Sequence, residues 1–143
     1  MDEKKIVENF MGCIHCSQIV VGEMAEKLGV DKDLLMKLAG PLGGGCFHGE
    51  ACGCVTAAMM SIGLKCGHCK LNDVDTNNKM VGMIHEFEER FIEQYGSLKC
   101  VDLSGHDFSK EGEFDKAFKE NVFVEKCPKY VNTTLDILDD MIG

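Results

Sequence analysis

Read for its apolar positions, the chain repeats a helical spacing in four places and shows almost no two-residue alternation. From Cys16 to Leu28, apolar positions recur at Cys16, Val20, Met24 and Leu28, with Ile19 and Val21 beside them, and Gly29 ends the run. "VDKDLLMKLAG" predicts a short helix capped by Asp31, with Leu34, Leu35 and Leu38 on its apolar side and Gly40-Pro41 as its stop. The stretch from about Glu50 to Leu64 is apolar or small nearly all round, the pattern of a helix in the middle of its fold. From about Lys79 to Tyr95, Met80, Ile84, Phe87, Phe91 and Tyr95 share one face, and Glu86 stands where it pairs with Arg90. The last helix runs from about Pro128 to Met141 on Val131, Leu135 and Leu138, and Cys127-Pro128 reads as its N-cap and first residue.

The intervening segments are polar. Asn72 to Asn78 reads as a loop, and Ser104 to Lys126 as charged and irregular with one helix around Glu113 to Asn121. The expectation is a single all-α domain over residues 1–143, a compact bundle around the Glu50–Leu64 helix.

Charge narrows the partners. The formal net charge of −9 repels polyanions, so nucleic acid and anionic membrane are excluded as partner classes. The absence of Trp and the presence of only two Tyr argue against a base-stacking platform. "MDEKKIVENF" lacks the apolar region of a signal peptide. No apolar run reaches the roughly 18 residues of a membrane span. A cytoplasmic protein is therefore expected, in a compartment that keeps thiols reduced.

Nine cysteines then change the picture. The number is odd, and in a reducing compartment it points to metal, cluster or redox chemistry before structural disulfides. Cys16, Cys52 and Cys127 each fall at the start of a predicted helix and on its apolar side. The unpaired N–H groups and partial positive charge of a helix N-terminus favour thiolate over thiol. Cys54, two residues after Cys52, is expected about 200° further round and facing away from it.

"PLGGGCFHGEACGC" (Pro41 to Cys54) has the glycine spacing of a phosphate-binding loop, Gly44-x4-Gly49. Glu50 and Ala51 stand where Lys and Ser or Thr belong, and a carboxylate there repels a nucleotide. The glycines are read instead as turns that deliver Cys52 to its helix start, with Glu50 complementing the helix dipole.

Two CxxC pairs occur, Cys13-Ile-His-Cys16 and Cys66-Gly-His-Cys69. Neither is followed by His, so covalent c-type haem is not expected. Either can close on Zn2+ or iron or act as a dithiol. His15 and His68 inside the pairs are weaker ligand candidates, and His48, His85 and His106 form no pattern.

These pieces resemble the small redox-active family named for its C–GCAxxG–C–C pattern. The resemblance rests on "CSQ" at Cys16, "LAGPLGGG" at Leu38–Gly45, "GEACG" at Gly49–Gly53, "GLK" at Gly63–Lys65, a lone Cys100 after the long helix and Cys127 opening the last one. It implies a shared cysteine set that falls here on Cys16, Cys52, Cys100 and Cys127. It also implies kinship with a split-Soret type of cytochrome, from which a homodimer is suggested by analogy. The signature core reads Cys52-Gly53-Cys54-Val55-Thr56-Ala57, with the alanine and second glycine replaced, and Cys13, Cys46, Cys54, Cys66 and Cys69 are additional.

The leading expectation is an iron–sulfur cluster on Cys16, Cys52, Cys100 and Cys127, serving electron transfer or redox sensing with an unidentified redox partner. The five additional cysteines are weaker metal candidates. The alternatives are a thiol–disulfide oxidoreductase with Cys52 as the low-pKa attacking thiolate, another of the four shared cysteines resolving it, and no cofactor, and a structural zinc protein using the CxxC pairs.

Overall fold

A computed structural model describes residues 1–143. The chain is helical throughout: α1 (Glu3–Met11), α2 (Cys16–Leu28), α3 (Lys32–Ala39), α4 (Gly53–Cys66), α5 (Val74–Tyr95), α6 (Cys100–Ser104), α7 (Glu113–Lys119), α8 (Val122–Glu125) and α9 (Cys127–Ile142). α4 lies at the centre, against α2, α5 and α9, and α2 also packs on α3. The core joins Ile19, Val20, Val21 and Met24 of α2 to Val55, Ala58 and Ile62 of α4, Phe87 and Phe91 of α5, and Val131, Leu135 and Leu138 of α9. The all-α bundle and its central helix are as the periodicity implies.

Several boundaries differ, each for a local reason. The central helix starts at Gly53, not Glu50, because residues 50–52 are extended. Ala51 bridges Lys99 in an isolated antiparallel rung, with the Cys52 N–H donating to the Leu98 carbonyl at 2.7 Å and the Cys100 N–H to the Glu50 carbonyl at 2.6 Å. Glu50 therefore lies outside α4 and does not serve as its first-turn acid. The supposed loop Asn72–Asn78 is mostly helix: α5 begins at Val74 because Asp73 caps it, accepting from the Thr76 N–H at 3.3 Å. Asp2 likewise caps α1, whose single fully buried side chain, Ile6, gives too little pattern to predict it. α9 begins at Cys127, with Pro128 in its first turn.

The triple glycine leads into an unusual turn. Gly44, Gly45, Cys46 and Phe47 carry φ of 60°, 64°, 58° and 56°, four consecutive left-handed residues. A left-handed conformation costs a non-glycine residue about 1–2 kcal/mol, so Cys46 and Phe47 store strain that the surrounding structure must hold. The turn closes with the Glu50 N–H on the Gly45 carbonyl at 3.1 Å.

Candidate functional site

Four helix starts converge on one cavity. Cys16 is the first residue of α2, Cys52 caps α4, Cys100 opens α6 and Cys127 opens α9. All four line an internal cavity of about 270 Å3, as do Cys54 and Cys13. The rung between Ala51 and Lys99 holds the backbones of Cys52 and Cys100 side by side. Cys46, Cys66 and Cys69 lie outside the cavity lining; Cys46 is exposed on the left-handed turn, and Cys66 and Cys69 stand beyond the far end of α4.

Cys54 is not turned away. The expected rotation of about 100° per residue applies only inside a helix. Cys52, with φ −51° and ψ 138°, is the cap and still extended, so the helical count starts at Gly53. The thiols of Cys52 and Cys54 both reach Cys16.

Of this trio, Cys16 is the sulfur whose pKa is lowered. The thiols of Cys52 and then Cys54, together with the backbone N–H groups of Gly44 and Ser17, hold its pKa well below the ordinary cysteine range against the cost of burial. Hydrogen bonds to the charged form outweigh desolvation. Cys52 and Cys54 move the opposite way, raised first by their engagement with Cys16. A second ionisation would place like charges together in an apolar site, so the three sulfurs titrate as one unit with one favoured thiolate. The expectation that Cys52 is the low-pKa thiolate is therefore corrected to Cys16.

Two glycines make that position available. A Cβ on Gly53 would lie 2.6 Å from Cys16 Sγ, so the bare α-carbon lets the sulfur sit against the start of α4. Cys16 thus meets the positive ends of its own helix and of α4. Gly44, in the left-handed turn, aims its N–H at the same sulfur.

The remaining sulfurs are held neutral. Burial raises Cys100 to about 11 and Cys127 well above its usual value, with the Cys16 charge adding to both. Burial, then Cys127, raises Tyr130 to about 12, and its hydroxyl donates to the Leu103 carbonyl at 2.7 Å.

The segment read as charged and irregular supplies the cavity's aromatic cover. Phe123 lies 6.0 Å from Phe108, 5.1 Å from Phe114, 6.3 Å from Phe118 and 6.1 Å from Phe10, ring centre to ring centre. All five rings line the cavity. His106 fastens this cover. It is buried, with Nδ1 2.8 Å from Glu113 Oε2 and Nε2 in contact with Glu120 Oε2, tying α7 to the end of α6. That bond also holds the Glu113 carboxyl below its usual range. The i,i+7 spacing of His106 and Glu113 offered no helical signal, since they belong to different elements. His15 is half-buried, caps α2 within a capping box and meets the Phe47 ring edge-on at 5.1 Å, while His68 is exposed.

No group of three or more His, Cys, Asp or Glu side chains stands arranged to hold a metal ion. The two CxxC pairs do not meet: Cys16 is within the cavity and Cys66 and Cys69 are at the opposite end of α4.

An all-helical bundle that gathers cysteines at helix starts around one cavity fits a redox-active, cysteine-based class of proteins. Residues 14–141 match the family described as "Putative redox-active protein (C_GCAxxG_C_C)", and the chain belongs to it. Read letter by letter, the Gly-Cys of that pattern falls on Gly53-Cys54; because Cys52 and Cys54 both face the cavity, either register keeps a sulfur in the site. Neither the curated proteins nor the solved structures contain a match. No helix is long and apolar enough to cross a membrane.

Proposed function

We propose that this protein is a dithiol–disulfide redox protein in which Cys16 is the nucleophile and Cys52 or Cys54 the resolving thiol. The observation that carries this is that Cys16, Cys52 and Cys54 line one cavity, with the bare α-carbon of Gly53 letting Cys16 Sγ sit against the start of α4; the lowered Cys16 pKa supports it. Thiolate is the reactive species in exchange, and a neighbouring thiol completes the couple. The Cys16 thiolate attacks one sulfur of a substrate disulfide, forming a mixed disulfide and expelling the other sulfur as thiolate. Cys52 or Cys54 then gives its proton to that leaving thiolate and attacks Cys16 Sγ. The mixed disulfide breaks, the second substrate sulfur leaves as thiolate and takes its proton from water, and the substrate departs as a dithiol, two electrons richer, leaving one new disulfide on the protein. The reverse sequence oxidises a dithiol.

The test is to oxidise the reduced protein with a small disulfide and map its cysteines by peptide mass. The expected product is a Cys16–Cys52 or Cys16–Cys54 disulfide, absent in Cys16→Ser.

A second reading keeps Cys16, Cys52, Cys100 and Cys127 as thiolate ligands of an iron–sulfur cluster, with electron transfer as the role. Its support is that all four line one apolar cavity. Against it stands the lack of a preformed ligand set. Brown, anaerobically purified protein with stoichiometric iron and acid-labile sulfide would replace the dithiol reading. Colourless protein with stoichiometric zinc would favour a structural role.

A further inference from the structure

The wall of the cavity selects what reaches Cys16. Apart from its sulfurs and the His15 ring, which meets Phe47 edge-on at 5.1 Å, the lining is almost wholly apolar, and its two hydroxyls are spent. Tyr130 Oη donates to the Leu103 carbonyl at 2.7 Å, and Ser104 Oγ donates to the Cys100 carbonyl at 2.7 Å while accepting from the His106 N–H at 3.2 Å. No arginine or lysine lines it to receive a carboxylate. The chain's net charge of −9 further disfavours an anionic reactant. Carrying an unpaired charge into such a wall costs far more than carrying a ring. The volume of about 270 Å3 is at the lower edge for small-molecule sites and excludes a bulky peptide disulfide.

The mouth has the same character. Phe114 and Phe118 line the cavity yet remain 46% and 47% exposed, and Met11 and Phe47 also combine exposure with cavity lining. Exposed large apolar residues collected around one opening mark a route for apolar ligands.

We infer that the exchange partner of Cys16 is a small, uncharged disulfide bearing apolar or aromatic groups, seated under the Phe108–Phe114–Phe123 cover. This rests on the dithiol reading and deepens it. The Cys16 thiolate forms a bond to one substrate sulfur, the substrate S–S bond breaks, and the departing half takes the proton released by Cys52 or Cys54. That second thiol then breaks the mixed disulfide by attacking Cys16 Sγ, and for an aryl disulfide the products are one aryl thiol, one aryl thiolate and one protein disulfide.

The test uses two chromogenic probes that differ in charge beside the reacting bond: neutral 4,4′-dithiodipyridine and the dicarboxylate 5,5′-dithiobis(2-nitrobenzoate). Each rate with the full-length reduced protein is divided by the rate of that probe with a small free thiol, and peptide mass mapping reports the modified sulfur. The expected result is a normalised preference of at least about ten-fold for the neutral probe at Cys16, as burial of a charge demands. Equal normalised rates at Cys16 would overturn the inference and leave the dithiol reading standing. No reaction of Cys16 with either probe, and no Cys16-containing disulfide, would overturn both. Phe114→Lys at the exposed mouth is the second measurement: the preference should shrink by about three-fold or more as the entering anion gains a counter-charge. An unchanged preference in a folded Phe114→Lys protein would also overturn the inference.

Discussion

The chain carries the CxxC spacing twice, and the fold gives the two copies opposite surroundings. Cys13-Ile-His-Cys16 precedes a helix, so its second sulfur sits at the positive end of α2 and against the start of α4. Cys66-Gly-His-Cys69 follows a helix, so Cys66 occupies the negative end of α4 and Cys69 is exposed beyond it. The spacing is identical and the helix polarity is reversed. Two cysteines at that spacing can close on each other or on a metal anywhere. Which sulfur ionises depends on the N–H groups that face it.

The comparison is broken most directly at Cys16. Cys16→Ser is expected to abolish the intramolecular disulfide and the fastest phase of exchange with 4,4′-dithiodipyridine, leaving the slower reaction of the exposed Cys13, Cys46 and Cys69. Stopped-flow absorbance measures it. A variant that still exchanges within a few-fold of the original protein would mean that the reactive sulfur lies elsewhere, and the exposed pair would be the first place to look.

The inner sulfurs should also write themselves into the pH dependence of stability, with opposite signs. Cys100 has its folded pKa raised from 9.0 to about 11. Its contribution is fully present below about pH 9 and is lost as pH rises through 11, about 3 kcal/mol at about 1.4 kcal/mol per unit. Cys16, lowered, contributes above the ordinary thiol range and loses that contribution as pH falls through its folded value. Urea unfolding under reductant from pH 7 to 11 should show the alkaline loss, and Cys100→Ala should flatten it by roughly the Cys100 share. A curve that Cys100→Ala leaves unchanged would mean that this thiol is not held neutral by burial.

Much of this architecture was legible because it follows from helical spacing. The Cys16–Leu28 and Lys79–Tyr95 stripes and the all-round apolar central helix become α2, α5 and α4. The helix-start placement of Cys16, Cys52 and Cys127 was legible for the same reason. What was hidden depends on contacts between distant segments. Cys54 looks outward if Cys52 is counted as helical, and only the extended cap, pinned by the Leu98 carbonyl, turns it inward. The choice of Cys16 over Cys52 as thiolate needs the Gly44 N–H and the open space at Gly53, both remote in sequence. The aromatic cover was hidden because Phe108 and Phe123 lie outside the one predicted helix of this charged segment, and their rings meet Phe114 and Phe118 only when α7 and α8 fold over.

Gly53 sharpens the contrast without removing any sulfur. At the first position of α4 alanine suits a helix better than glycine does, so Gly53→Ala taken locally would be neutral or mildly stabilising. The added Cβ would lie 2.6 Å from Cys16 Sγ and 3.2 Å from the Leu42 carbonyl. Cys16 must then move off the start of α4. The expected outcome is a folded protein whose exchange rate at neutral pH falls by about ten-fold and whose rate–pH profile shifts to higher pH. A rate change without a profile shift would attribute the loss to packing rather than to the thiolate.

The smallest effect belongs to the outer pair. Cys66→Ser with Cys69→Ser changes two side chains that lie outside the cavity, one of them fully at the surface. α4 runs from Gly53 to Cys66, 14 residues, so these sulfurs are about 20 Å from Cys16 along the helix. No direct exchange spans that distance. The double variant should keep its exchange rate within about two-fold and its stability within about 0.5 kcal/mol per substitution, as surface substitutions do. If it instead lost activity to the same extent as Cys16→Ser, the two pairs would be communicating, either between molecules or by a rearrangement of α4. Sedimentation and exchange rates measured at two protein concentrations separate these, because only the intermolecular route depends on concentration.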